Sequence, residues 1–557
     1  MKNKLLAIVL TTTVLSLSIM GCASSKNQGT VQNEAGSGTE GQPLSEDTSQ
    51  TSEKVKLTGM VIKGAATNDI STMQWLQDAM DRANVEIEWQ VANQVDWNEV
   101  KGTMTASGDI PDVVIGTDAF TSSDFVTFNG LFKDVAPYLD MAPNIQKMFT
   151  DHPDLLTLAQ NENGEIFGIP KYQAWWPDSW YRQYINKQWL DTLGLDVPTT
   201  WDELYTVLKA FKEQDPNGNG EADEIPWAFM GMDTKSVAPY ILLSNFGMTF
   251  DLSNSANGFY VEDGVVKNYL GSDEYYQLVE YCHKLYQEGL IGASSFTQDD
   301  AAWVATARTK EASGEAVYGY VNCWAVGDIV GDQLKDQYVS IPPLKVTADQ
   351  TATPLWTNEY EMLNVKACAA VIAESCENPE AAVRFIDELY APETSLAILF
   401  GDIGSMVKKN DDGSYTVLSP AEAGDTSGLN AGGWRWKVTL ADLGPGCIDE
   451  TMDVKLPEDM DEVTEDGKYQ TELFAKMDTR KNLLHKMFLK FEENDLSQLS
   501  LIESNIQSLT VPQFTDWVVN GGLEDEWDNY LVNLKASGVD DGIKIYQKAL
   551  DEYLSKN

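Results

Sequence analysis

In the run Asp215-Pro216-Asn217-Gly218-Asn219-Gly220-Glu221-Ala222-Asp223-Glu224-Ile225-Pro226, the side-chain oxygens of Asp215, Asn217 and Asn219 fall at alternate positions and a glycine follows. That spacing brings three oxygens to one point, as calcium loops do around a hard cation. In such a loop the residue after the glycine, Glu221, ligates through its backbone carbonyl and leaves its side chain to water. Asp223 and Glu224 close the shell. Three carboxylates, from Asp215, Asp223 and Glu224, offset a divalent charge, and the Asn217 and Asn219 amides add neutral oxygens.

The loop departs from an EF-hand at its twelfth position, where Pro226 replaces a bidentate glutamate, so it does not read as a helix-loop-helix sensor. The same composition would also build a surface turn without a metal.

A second group of residues suits a different chemistry. Sugar rings present flat apolar C–H faces between rims of hydroxyls, so they are held by aromatic platforms flanked by planar polar side chains. Of the 16 tryptophans, Trp175, Trp176, Trp303, Trp324, Trp356, Trp434 and Trp436 stand in loop-like stretches with polar neighbours. Lys171, Tyr172, Asp178, Arg182, Asn322, Asn358, Glu359, Tyr360, Glu361 and Arg435 lie near them in the chain. Core packing is the competing role for each tryptophan. It is the role that Trp75, Trp89, Trp97, Trp189, Trp201, Trp517 and Trp527 take from their element patterns.

Composition removes other classes of function. With 86 Asp and Glu against 39 Lys and Arg, the formal charge of −47 repels nucleic acid and anionic membrane surfaces. It also disfavours a polyanionic ligand unless Lys171, Arg182, Arg308 or Arg435 gathers at the site; surface pairing is the other reading of those four. His152, His283 and His485 lie in no His-x3-His or Cys-x2-Cys frame, so zinc chemistry and histidine triads lack material. Gly-x-Ser-x-Gly, His-Glu-x-x-His and a phosphate-cradling glycine loop are absent. An extracellular glycosidase remains a rival only because acids are abundant. Cys282, Cys323, Cys368, Cys376 and Cys447 form an odd set without framework spacing, buried thiols by default, with a Cys368–Cys376 pair as the alternative.

The elements that position these residues are legible by period. Thr200 is placed to N-cap a helix, with Glu203 three positions on and Leu204, Leu208 and Phe211 along one face, leading directly into the calcium loop. Residues 55–62 alternate and then turn apolar like a strand entering a sheet. Met73, Leu76, Met80 and Ala83 predict a helix over 71–83, and a strand follows near 85–91. Strand, helix, strand implies a parallel sheet, which Val113, Val114 and Ile115 extend. Trp527, Tyr530, Leu531 and Leu534, then Ile543, Tyr546, Leu550 and Tyr553, mark two closing amphipathic helices.

A chain of 557 residues with 43% hydrophobic residues is too long for one core, so two lobes are expected. At the start, Lys2 and Lys4 precede an apolar run over 5–20 that closes on Ile19-Met20-Gly21-Cys22. This reads as an export signal and resembles a lipoprotein lipobox, with Ile19 where Leu is commoner; an ordinary cleaved signal is the alternative. Residues 23–53 carry almost no large apolar side chains and form a disordered tether.

The stretch 184–195, the capped helix and the calcium loop resemble the extracellular solute-binding proteins of ABC importers (family 1). So do the Asp109-Ile110-Pro111-Asp112 phrase and the stretches 131–140 and 163–170. The likeness is to the subgroup that includes alginate-oligosaccharide-binding proteins, and it extends in patches over 55–553. It implies that calcium is structural and is held by Asp215, Asn217, Asn219, the Glu221 carbonyl, Asp223 and Glu224.

It also implies an α/β, type II periplasmic-binding-protein-like clamshell with a hinge. The expected order is a signal peptide 1–22, a tether 23–53, a first lobe 54–170, and a second lobe 171–345 holding the loop 215–226. A return segment 346–400 and a closing part of the second lobe 401–557 follow. The crossings line the cleft, which puts Lys171, Tyr172, Trp175, Trp176, Asp178, Arg182, Trp356, Glu359 and Tyr360 there, with Trp303, Asn322, Trp324, Trp434, Arg435 and Trp436 as further ligand contacts.

The resemblance implies a monomeric protein without catalysis, lipidated at Cys22 on the extracellular face of the cytoplasmic membrane. It would hold an oligosaccharide between its lobes and hand it to an ABC permease. A clamshell that signals to a membrane kinase without transport, and a peptide ligand, are the alternatives within that fold.

Overall fold

The computed structural model describes residues 53–174, 179, 181–232, 237–358, 364–458, 460, 465–477 and 483–556. Strand β1 (Val55–Lys63) alternates between core and solvent until Gly59 and is then buried on both faces from Met60 to Ile62. Such burial is what a parallel strand inside a sheet requires. β1 pairs in parallel with β2 (Val85–Asn93) along its whole length and with β3 (Val113–Ile115) on its other side. Parallel neighbours need a crossover. The helix Gln74–Arg82 supplies it and buries Trp75, Leu76, Ala79 and Met80.

The chain leaves this sheet after β4 (Ile169–Gln173) and builds a second one from β5 (Arg182–Asn186) and β6 (Ile225–Ala228). A separate hairpin of β7 (Phe259–Glu262) and β8 (Val265–Asn268) comes next, followed by β9 (Tyr318–Cys323) and β10 (Tyr338–Ser340). It then returns through β11 (Val365–Ile372) and adds β12 (Val407–Lys409), β13 (Tyr415–Val417), β14 (Cys447–Ile448) and β15 (Val454–Lys455). The first sheet has the order β14-β4-β11-β3-β1-β2 and the second β10-β5-β9-β6.

Each sheet has its own core. In the first, Val113, Ile115, Ala370 and Ile372 pack on one face with Leu76, Phe385 and Leu389. Val114 and Val371, one residue out of phase, pack on the other with Phe120 and Phe132. In the second lobe Ile185, Trp189, Leu204, Phe211, Trp227, Tyr320 and Val321 join Tyr240, Tyr275, Phe514 and Trp517. The last three helices of the chain, Glu493–Asn520, Leu523–Ala536 and Val539–Lys556, close over that second core.

Three boundaries differ from the expected ones. The first lobe runs to Gln173, because β4 completes its sheet there. The second lobe continues past 345 to Asn358, whose backbone N–H donates to the Phe250 carbonyl at 3.1 Å. Residues 401–456 stay with the first lobe: β14 pairs with β4, and Val407, Val417 and Ile448 pack on Leu396, Leu399 and Phe400. The strands in that segment are two or three residues long, too short to leave a period in the sequence.

All five described cysteines are free thiols, so Cys368 and Cys376 are not bridged. Burial pushes the Cys368 thiol up to about 12 and that of Cys376 to about 11. Among the described residues no helix is long and apolar enough to cross a membrane. The lipobox with Cys22 and the tether up to residue 52 lie outside the described residues.

Candidate functional site

β1, β3 and β4 point the same way, since β11 runs antiparallel to both β3 and β4. Their carboxyl ends therefore share one edge, and the chain crosses to the second lobe from that edge. The outgoing and returning segments touch there: the Gln173 N–H donates to the Asn364 carbonyl at 2.9 Å, and Asn364 Nδ2 donates to the Gln173 carbonyl at 3.1 Å. In the second lobe β5 starts at Arg182 on the facing edge, where β9 and β6 end. Ligands of open α/β sheets bind beyond the carboxyl ends of the strands.

Against β4, in the carboxyl-terminal part of the first sheet, sits a group of charges. Lys171 is 4% exposed and donates to the Asp442 carbonyl at 2.9 Å. The Arg435 guanidinium donates to Asp442 Oδ2 at 2.6 Å, and Gln173 Nε2 to Oδ1 at 3.0 Å. Burial lowers the Lys171 ammonium to about 8. Burial would raise the Asp442 carboxyl, but the charges of Arg435 and Lys171 hold it well below the usual carboxylate range.

Lys171 and Gln173 share a face of β4, so Tyr172 points the other way. Its hydroxyl donates to Glu450 at 2.7 Å and its ring packs 4.1 Å from His152 inside the first lobe. Tyr172 is therefore a packing residue of the first core, contrary to the expectation of a ligand contact.

A cavity of about 250 Å³ lies between the lobes. Asp118 and Lys366 line it from the first sheet, and Phe250, Asp251, Ser253, Asn254 and Asn358 from the second lobe. Asp118 stands three residues past β3 at φ 56, a left-handed conformation that Asp tolerates, and its carboxylate is 3.1 Å from Lys366 Nζ. Asp251 Oδ1 accepts the Ser253 N–H at 2.8 Å, and Oδ2 the Asn254 amide at 3.1 Å.

Sequence reasoning missed Asp118, Lys366 and the 251–254 turn. The strand before Asp118 was legible, and the rule about carboxyl ends points just past it. The 251–254 turn carries no such signal.

The tryptophans divide. Trp303 and Trp356 are 3% and 1% exposed and belong to the second core, so neither offers an open platform. Trp434 is buried as well. Trp324 and Trp436 are partly exposed, and each carries an arginine over its ring: Arg182 at 4.8 Å and Arg435 at 5.4 Å. Trp324 follows β9 at the facing edge of the second lobe. The Trp436 carbonyl accepts the Thr67 hydroxyl at 2.8 Å beyond the end of β1.

Asn322 is fully buried, bonded to the Trp227 indole and the Tyr320 hydroxyl at 3.1 Å each, so its amide is committed within the second lobe. Trp175, Trp176, Asp178, Glu359 and Tyr360 lie outside the described residues.

The loop 215–226 lies in the second lobe, between the helix Trp201–Glu213 and β6. Thr200 caps that helix, its hydroxyl accepting the Glu203 N–H at 3.2 Å, while the Glu203 carboxylate takes the Thr199 N–H at 2.7 Å. Asp215 at φ 46 starts the turn. Its Oδ2 accepts the Gly220 N–H at 3.0 Å, Asn217 Oδ1 the Asn219 N–H at 3.1 Å, and Asn219 Oδ1 the Glu221 N–H at 2.7 Å. The Glu221 side chain is exposed and pairs with Lys310 at 2.6 Å; Lys310 also reaches Asp223.

Among the described residues no cluster of three or more His, Cys, Asp or Glu is arranged around a metal position. Two carboxylate oxygens of the loop, Asp215 Oδ1 and Glu224 Oε1, are nevertheless buried with no hydrogen-bond partner. Burial, with Asp223 and Asp215 close by, raises the Glu224 carboxyl. Buried acceptors that repel one another and lack a donor fit a cation, and a divalent one would satisfy both.

Comparison with known proteins agrees with this architecture. Residues 74–406 match the model of the family described as bacterial extracellular solute-binding protein. The fructooligosaccharide ABC transporter substrate-binding protein FusA of Streptococcus pneumoniae is 26% identical over 506 residues, 86% of each chain. An HMO binding, ABC-transporter associated solute binding protein from Bifidobacterium longum infantis superposes with a TM-score of 0.81 at 31% identity, covering 90% of this chain and 99% of that one. The FusA EF-hand mutant in complex with fructo-nystose superposes with a TM-score of 0.75 at 25% identity, over 90% of this chain and 100% of that one. The fold is the two-lobe, periplasmic-binding-protein-like α/β clamshell, and the chain belongs to the bacterial extracellular solute-binding protein family.

Proposed function

We propose that this chain captures an oligosaccharide between its lobes and delivers it to an ABC importer, without catalysing a reaction on it. The observation that carries the reading is the cavity between the lobes, whose carboxylates, amides and hydroxyl beside Phe250 are the chemistry a polyhydroxylated ring needs. The sugars named for FusA and for the Bifidobacterium protein support the same class. Asp118 and Lys366 bind from one side and Asp251, Ser253, Asn254 and Asn358 from the other. Trp324 and Trp436 offer ring faces at the two edges. A ligand that touches both lobes favours the closed form by its differential affinity, and a permease reads that form.

In the same reading Cys22 carries a lipid that holds a monomer at the extracellular face of the cytoplasmic membrane, on the strength of the Ile19-Met20-Gly21-Cys22 run. Asp215, Asn217, Asn219, the Glu221 carbonyl, Asp223 and Glu224 hold calcium. The ion neutralises carboxylates and pins the loop between its helix and β6; it takes no part in the ligand cavity. Thermal melts of the protein in calcium against a panel of oligosaccharides and short peptides test the proposal. A folded-state ligand adds RT ln(1 + [L]/Kd), roughly 2.7 kcal/mol at a hundredfold excess over Kd. A shift with sugars alone supports it, and a shift with peptides alone overturns it.

A further inference from the structure

The cavity between the lobes has a third wall. Leu483, Leu484, Lys486 and Met487 line it from a strap over 483–491 that contains one short turn, Lys486–Phe488, and no strand. The strap is anchored in both cores: Phe488 is buried in the first, Leu484 and Leu489 in the second. Among the described residues its backbone hydrogen bonds run within the strap itself, from the Lys486 N–H to the Leu484 carbonyl at 2.7 Å and from the Phe488 N–H to the His485 carbonyl at 3.0 Å. No sheet ladder fixes this wall, so its side chains decide where it stands.

The polar anchors reach both lobes. Lys490 Nζ donates to the Leu158 carbonyl of the first lobe at 2.7 Å. Lys486 Nζ lies 2.8 Å from Glu503 Oε1, on the helix Glu493–Asn520, and the two side chains are only 23% and 24% exposed. The same oxygen accepts the Tyr546 hydroxyl at 2.5 Å, and the Tyr546 ring lies 4.9 Å from the Lys486 ammonium. That ring also packs 5.0 Å from Phe259, another residue of the cavity wall. Glu503 and Tyr546 thus stand behind the wall and hold two of its members. A site keeps its affinity only while such supports hold its contact residues in place.

We infer that Glu503 and Tyr546 are positioning residues for ligand capture, acting through Lys486 and the strap it belongs to. The inference rests on the carbohydrate reading above and adds the strap to the site.

The test is calorimetric titration of the full chain. The native protein is titrated with a panel of neutral and acidic oligosaccharides, kestose, maltotriose and oligogalacturonate among them, and the tightest binder is carried to the variants. Glu503→Gln and Lys486→Met should each weaken it about tenfold, and the double variant should be no weaker than either single one, because both act through one pair. Tyr546→Phe keeps the ring and loses the hydroxyl, and should cost about threefold; it keeps the test open if Glu503→Gln does not fold. Lys548→Met breaks ion pairs between the same two helices, to Glu492 and Asp495, and should leave affinity unchanged.

Native affinity in Glu503→Gln and Lys486→Met, or losses that add in the double variant, overturns the positioning role. So does an equal loss in Lys548→Met, which would reduce the effect to general loosening of the helices. Silence of the native chain with every sugar is a different result: it removes the carbohydrate reading, and the positioning role with it.

Discussion

Asp442 Oδ2 lies 2.6 Å from the Arg435 guanidinium, and Lys171 donates to the carbonyl of the same aspartate, so one residue holds two buried cations at the edge where the lobes meet. Asp442→Asn leaves both cations without their shared anion. Loss of one partner from a buried pair costs roughly 3 kcal/mol. Denaturant unfolding at neutral pH should show that drop. An unchanged midpoint would mean that solvent already screens the group.

The pH dependence follows from the two shifts. Asp442 is depressed, so its contribution is complete above its unfolded value and is lost only as strong acid protonates it in the folded state. Lys171 is depressed to about 8, so burying its charge costs stability below that pH. Between about 8 and the unfolded lysine value of about 10.4 the unfolded chain binds more protons, and stability rises with pH. The unfolding free energy of the native chain minus that of Lys171→Met should therefore climb across this window; a flat difference would show Lys171 to be solvated.

The two arginine-backed tryptophans should separate from the core ones. Trp324→Ala and Trp436→Ala each lower sugar affinity by about tenfold or more if the rings are platforms. Trp303→Phe and Trp356→Phe leave affinity in place and lower stability by about 1–3 kcal/mol, because both rings are packed in the second core. Calorimetry on the four variants, beside their melts, decides between the two roles.

Gly116 shows where backbone geometry feeds the site. It sits at φ 150, and a Cβ there would come within 2.6 Å of Ile62 Cβ. Gly116→Ala should cost about 1–3 kcal/mol through overpacking alone, with added strain from its φ. It should also weaken ligand binding, because Asp118 is two residues on. A variant that loses stability but keeps its affinity would show that Asp118 is positioned independently, by its backbone bond to Cys368.

The long elements were legible because their periods are. Leu76 and Met80 share a helix face as their spacing requires, Thr200 caps where its hydroxyl can reach the Glu203 amide, and Val113 to Ile115 fills the middle of the first sheet, parallel to β1 as expected but antiparallel to β11 on its other side. The site was legible only in part. Lys171 and Arg435 meet at Asp442, although 271 residues separate Lys171 from that aspartate and no local pattern joins them. Tyr172 was misplaced because one step along a strand reverses the face. Trp303 and Trp356 were misplaced because polar neighbours in the chain do not exclude apolar neighbours in space.

The calcium proposal makes two predictions that pull in opposite directions. Asp215→Ala and Asp223→Ala should lower the melting temperature in calcium and abolish its dependence on a chelator, while sugar affinity stays largely intact, since the loop lies outside the cavity between the lobes. Lys310→Met should do the reverse. Its ammonium pairs with Asp223 and Glu221 and competes with a divalent ion for the same carboxylate. Removing a positive charge a few ångströms from the ion raises calcium affinity by roughly fivefold when solvent screens most of the repulsion. Titration against a calcium-sensitive chelator measures it. If Lys310→Met weakens calcium instead, the lysine positions Asp223 as a ligand; if calcium affects neither variant nor the native chain, the loop is a hydrogen-bonded turn and the metal assignment is wrong.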